Sequence, residues 1–246
     1  MRSDHRSNRG IVALIFAAAF VAALAAEPVG ACIWDDDTLR MEEREFPDAR
    51  EMIAGKFLRH GEAFYRWRIA DRERKLAAAP DDLALHDDLA VAYEKTGRPR
   101  KAIEIMERKA KLKPGDYKTA ANLGTFYIHA GDLETGLKHI KRAIAINPEA
   151  HFGREIYQQL LVEYVIEKKR GGPLELPMKR STGRHSAKRF DDFVIAKRKA
   201  ALSDEPDAVK HEIQAAVKGV LGMMRFGNHA SPVLLEALGD LLGRDV

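Results

Sequence analysis

Apolar positions in the middle of this chain recur at helical spacing, in two blocks with four identities and two small-for-small pairs at one offset. In the segment Leu83 to Asp116, Leu89 and Tyr93 lie four residues apart on one face of a first helix. Gly97 supplies the left-handed stop, Ala102 is a small contact on a second helix, and Pro114 ends that helix. The same features return at one constant offset in Tyr117 to Ala150, as Leu123, Tyr127, Gly131, Gly136 and Pro148. Ala90 and Gly124 also pair, small with small, so that the second helix of each block can approach the first. The spacing therefore predicts two antiparallel helical hairpins in tandem.

The flanks carry fainter versions of this pattern. Pro80 precedes Pro114 by the same offset, and Phe64-Tyr65 through Leu76 reads as the second helix of an atypical unit. Its first helix would be Asp48 to His60, and Arg68 occupies its small position. After Pro148, His151 to Lys169 reads as one amphipathic helix with Phe152, Ile156, Leu160, Leu161, Tyr164 and Val165 on its apolar face. It forms the first half of a third unit or a cap. Arg170-Gly171-Gly172-Pro173 breaks the pattern, and residues 171–202 read as a basic linker. Ser203 is placed to cap a helix from about Asp204. Ser231-Pro232 begins another helix that carries Leu234, Leu235, Leu238, Leu241 and Leu242. The segment 203–246 is thus a helical hairpin or a degenerate repeat.

Taken together, L-A-x-x-Y, G, A and P in the first unit and L-G-x-x-Y, G, G and P in the second resemble the tetratricopeptide repeat. Gly136 departs from it, standing where alanine is usual. The resemblance implies an all-α fold of antiparallel helical hairpins stacked in a short solenoid over residues 49–170, closed by the C-terminal hairpin. It also implies a binding scaffold whose first helices line a concave face for a protein or peptide. By register, that face presents Asp87, Asp88, Val91 and Glu94 in one unit and Lys118, Asn122, Thr125 and His129 in the next. The acids of the first unit do not fit a clamp for a terminal carboxylate and call for a basic or mixed partner. A self-associating structural protein of the envelope and a non-catalytic accessory subunit of an exported enzyme are the alternatives.

The N-terminal segment changes the picture of where this scaffold works. Arg2, Arg6 and Arg9 precede an uncharged apolar run from Ile11 to Ala26. That run is shorter than the ~20 residues of a membrane-spanning helix. A cleaved export signal over residues 1–31 is expected, with a short extension over 32–48. Ala23-Leu24-Ala25 fits cleavage by ordinary signal peptidase. Val29-Gly30-Ala31-Cys32 fits a lipobox, with Cys32 as the lipid attachment point. Cys32 is the single cysteine, so the domain is held by packing and not by an internal disulfide. The expected location is the periplasm or cell envelope.

Charge adds one regional feature. The net charge is +4, too small an excess to mark a dedicated nucleic-acid protein. Eleven Lys or Arg against three acids fall between Lys168 and Lys199, which suits an anionic membrane surface or a solvated helix face. Aromatic residues are not interleaved there as single-stranded nucleic acid would require.

No catalytic constellation emerges. The nine histidines include no H-x-x-x-H pair, and G-x-S-x-G and phosphate-loop motifs are missing from the sequence. Asp35-Asp36-Asp37 lacks the spacing of a calcium loop. Asp81-Asp82 and Asp87-Asp88 read as first-turn helix acids. No enzyme activity, cofactor or metal is expected.

Overall fold

The computed structural model describes residues 48–170, 172–178 and 189–244. Among them are ten α-helices and no strand. They are α1 (Ala49–Ala54), α2 (Glu62–Ala78), α3 (Leu83–Lys95), α4 (Pro99–Leu112) and α5 (Tyr117–His129). Then follow α6 (Leu133–Ile146), α7 (Arg154–Lys169), α8 (Phe190–Arg198), α9 (Ala208–Phe226) and α10 (Pro232–Leu242). Cys32, Asp35 to Asp37 and the apolar run Ile11 to Ala26 lie outside the described residues.

The duplicated hairpins are α3–α4 and α5–α6, and the same local chemistry bounds both. Asp82 and Asp116, equivalent at the repeat offset, accept hydrogen bonds from the first exposed amides of α3 and α5. Gly97 and Gly131 follow α3 and α5 at φ of 73° and 89°, a region that costs other residues energy. The helices α4 and α6 stop two residues before Pro114 and Pro148. Leu89, Ala90, Ala102 and Leu123 are buried, as their spacing requires.

The hairpin series extends backwards into α2. The Tyr93 hydroxyl donates to Glu73 on α2, and the Tyr127 hydroxyl donates to Glu107 on α4 at 2.7 Å. Both bonds span 20 residues. Each tyrosine thus ties its hairpin to the helix before it, while Tyr127 also stacks on His139 of the following helix at 5.5 Å between centroids. Arg68 of α2, where a small residue was expected, is buried and lays its guanidinium 4.5 Å from the Phe64 ring.

The expected first helix over 48–60 is only α1. Asp48 and Glu51 form a capping box at its start, and Gly55 ends it in the left-handed region after six residues. Its buried Met52 joins the core made by α5 to α10, away from α2. A second core lies between α2, α3 and α4 and takes in Leu123 and Phe126 of α5. Helix α5 therefore belongs to both.

Three readings of the C-terminal half are corrected. His151 to Lys169 is not one helix: His151, Phe152 and Gly153 all take positive φ, and α7 begins at Arg154. Phe152 is consequently exposed, with the Lys218 ammonium 3.3 Å from its ring centroid. The stretch read as a linker contains α8, whose Phe190, Phe193 and Val194 are buried in the main core. Its cations face acids: Arg189 lies near Asp191 and Asp240, Arg198 near Glu212, and Lys197 near Glu163. Finally, α9 starts at Ala208 behind Asp207, not at Asp204 behind Ser203.

Helix α7 is packed from two sides, against α6 and against α9. Glycines on α9 permit the second contact: a Cβ at Gly219 would lie 2.7 Å from the Tyr157 ring, and one at Gly222 would lie 2.4 Å from the Arg154 guanidinium. Arg154 is buried there, 4.9 Å from the Phe226 ring. The C-terminal end of α9 then reaches α3, where Lys95 Nζ donates to the carbonyl oxygens of Phe226 and Gly227. A cation is well placed at the negative end of a helix.

Candidate functional site

The eight residues assigned to the concave face gather along α3 and α5, but most of them are satisfied within the chain. Val91, Asn122 and Thr125 are buried. Thr125 Oγ1 accepts a bond from Gln158 Nε2 of α7 at 3.2 Å. The register places these three on the first helices, and there they face the packed interior. It does not reveal that Gln158 of α7 reaches α5 there.

Asp87 is the clearest case. It sits in the second turn of α3, and Lys109 Nζ of α4 donates to its two oxygens at 2.7 and 2.8 Å. Lys109 is 2% exposed and also donates to Asp116 at 3.1 Å. Burial pushes the Asp87 carboxyl up to about 6, against the pull of Lys109. Although burial alone would raise it, Asp116 is held below the usual carboxylate range by Lys113, Lys109 and Thr119. One ammonium therefore serves two carboxylates in opposite environments: Asp87 enclosed, Asp116 at a helix N-terminus. Asp87 is thus neither a first-turn acid nor an open-face residue.

Asp88 is half-buried and pairs with Arg72 of α2 at 2.7 Å. The Arg72 guanidinium also contacts Asp71, so it clamps two acids across the α2–α3 contact. Glu94 meets His129, joining α3 to α5 at the other end of the face. Lys118 is half-buried between two sites: its charge acts on Asp87 and on His151. His151 is held down at about 4 by burial, opposed by Glu155 and reinforced by Lys118. Glu155 is buried next to Arg154, and burial raises its carboxyl.

The face is a seam of alternating acids and bases running from Arg72–Asp88 through Asp87–Lys109 to Glu94–His129. Along it the side chains of Asp88, Glu94 and His129 are only 14%, 9% and 8% exposed, and Lys118 is half-buried. Sequence reasoning missed Arg72, Lys109 and Gln158, the groups that answer these polar positions. Lys109 carried a signal: it lies on the small-residue face of α4, seven residues after Ala102, where a charge needs a partner. Among the described residues, no three His, Cys, Asp or Glu side chains are grouped to hold a metal ion. No described helix is long and apolar enough to cross a membrane.

No family model, curated protein or solved structure matches the chain.

Proposed function

We propose that this chain is a tetratricopeptide-type binding scaffold that holds a protein or peptide partner in the cell envelope. One observation carries the reading: a two-helix unit recurs in tandem, down to the tyrosine–carboxylate bond that ties each unit to its predecessor. Stacked units of this kind present successive first helices side by side. In this reading α3 and α5 are such a pair, linked by the Glu94–His129 contact. The partner reads this seam where it opens at Lys118, with the largely enclosed Asp88, Glu94 and His129 behind it setting the mixed charge it complements. Export through residues 1–31 and acylation at Cys32 would place the scaffold at a membrane surface.

The test is affinity capture from envelope extracts with the exported chain and with its Glu94→Lys/Lys118→Glu double variant. A partner retained by the first and lost by the second supports the reading. Circular dichroism must show that the variant keeps its helices. Capture of the chain by itself alone would instead favour a self-associating structural protein.

A further inference from the structure

Some features that recur between the two hairpins are not packing features. Arg108 of α4 and Arg142 of α6 are equivalent at the repeat offset, and both are exposed. One turn later come Leu112 and Ile146, again equivalent, and these are 44% and 42% exposed. Residues four apart share a face of a helix, so each second helix presents an arginine followed by an apolar side chain at its C-terminal end. The hairpin itself requires repetition of Leu89, Gly97 and Pro114. It does not require repetition of an exposed arginine with an exposed aliphatic. Arg74 of α2 continues the arginine column at the same offset, although there Asp71 accepts from it at 2.7 Å.

The surroundings are cationic. From Pro99 to Lys113 there are six cations and two acids, and on α6 there are three cations and one acid. These two helices are therefore more positive than the chain as a whole, whose net charge is +4. Lys101, Lys109, Lys113 and Lys141 have carboxylate partners. Arg108 acts on Glu104, which Lys101 already binds at 2.9 Å. Among the described residues Lys111, Lys138 and Arg142 have no carboxylate within ion-pair reach, and Lys138 lies one turn before Arg142 on the same face. A cleft of about 260 Å³ between the end of α4 and α6 is lined by Lys113, Thr119, His139 and Arg142, with Ala110 and Leu123. Its one acid, Asp116, is taken up by Lys109, Lys113 and Thr119. Its imidazole is stacked on Tyr127, and burial, with Arg142 beside it, lowers the His139 pKa. Arg142 is thus the cation that the cleft leaves to a ligand.

We propose that the exposed face of α4 and α6 docks on an anionic phospholipid surface, with lipid phosphates on Arg108, Arg142, Lys111 and Lys138, and with Leu112 and Ile146 entering the headgroup layer. Guanidinium groups match phosphate oxygens in geometry as well as charge. Anionic lipid attracts basic residues, and an apolar side chain one turn from each arginine adds a contact that a soluble polyanion does not reward. The cleft takes one headgroup, its phosphate on Arg142. The inference rests on the envelope location proposed above, and it uses a face other than the α3–α5 seam.

The experiment is co-sedimentation of the exported chain carrying Cys32→Ser, so that no acyl group contributes. The vesicles are phosphatidylcholine alone, and phosphatidylcholine mixed with phosphatidylglycerol. Binding should need phosphatidylglycerol and weaken as salt rises. A retained apolar leader would add the same affinity for both vesicle types, so the preference for phosphatidylglycerol reads this face whether or not export is as proposed. Arg108→Ala/Arg142→Ala should lower the affinity for the mixed vesicles by about tenfold or more, because two cations leave the surface. Leu112→Ser/Ile146→Ser should also lower it, while retention on heparin stays unchanged. No preference for phosphatidylglycerol, or unchanged binding by a folded arginine variant, would overturn the site. A serine variant that binds the mixed vesicles as wild type does would overturn lipid as the occupant, in favour of a soluble polyanion.

Discussion

A Cβ on Gly136 would stand 2.8 Å from the carbonyl oxygen of Gly124, a separation that real Cβ atoms do not show against backbone. The two glycines are the small positions of the second hairpin, and α5 and α6 approach more closely through them than any alanine pair would permit. The same positions in the first hairpin are Ala90 and Ala102, both fully buried. Gly136→Ala should therefore destabilise the protein by about 1–3 kcal/mol through overpacking. This is opposite to the gain of up to about 1 kcal/mol expected from helix propensity alone. Urea unfolding reads the sign directly.

Lys109→Met removes the ammonium shared by Asp87 and Asp116. Loss of one partner from a buried pair costs about 3–5 kcal/mol, because a carboxylate is left enclosed without compensation. The penalty should depend on pH with a definite sign. Asp87 has a raised pKa in the folded state, about 6 against an ordinary 3.8. Its favourable contribution is complete below 3.8 and is lost as pH rises through about 6. Without Lys109 the ionised form is still more costly, so the gap between wild type and variant should shrink on acidification from pH 7 toward 5. Melting temperatures of both proteins across that range check it, and a gap that widens would refute it.

Tyr127 gives a spectroscopic handle on the repeat contact. Its hydrogen bond to Glu107 is the main reason its phenol is pushed up to about 12, with burial second. An acid whose pKa is raised by folding contributes stability that persists below 10 and is lost as pH climbs toward 12. Glu107→Gln should return Tyr127 toward 10, and absorbance titration against a Tyr127→Phe control reveals the step. The rings of Tyr93 and Tyr127 are only half-buried, so either alanine replacement should cost less than the ~3 kcal/mol of a fully enclosed aromatic.

Lys95→Met should loosen the end of α9 while leaving α3 intact. The carbonyl oxygens of Phe226 and Gly227 would lose their donor, and hydrogen exchange over the last turn of α9 should accelerate. Exchange within α5 serves as the internal reference and should not change.

The parts of this fold that were legible in the sequence are those fixed by local chemistry. Glycine at positive φ after α3 and α5, proline after α4 and α6, and apolar residues four apart all act within one or two turns. They give the two hairpins and the all-helical class without tertiary information. Phe152 misled because a run of three left-handed residues, two of them not glycine, follows no short-range rule. Helix α8 was hidden in a stretch dominated by basic residues. Their acids, Asp240, Glu212 and Glu163, sit on other helices, so the charge excess looked unanswered. The seam residues were read as open positions of a binding face, whereas Lys109, Arg72 and Gln158 already engage Asp87, Asp88 and Thr125. Register along one repeat says nothing about such cross-helix partners.

The contact of α1 with α9, and the bond from Lys95 to carbonyls 131 and 132 residues further on, alter how the molecule comes apart. A linear stack in which each unit touches only its neighbours can fray from either end, losing one hairpin at a time. Here α9 is fastened to α1 and to the opening hairpin, so neither end of the described fold hangs free. Unfolding becomes a single transition seen alike by every probe, and folding is slowed by contacts that must wait for the whole chain. A nick in the connection before α8 or a deletion of α10 would be felt as far away as Met52.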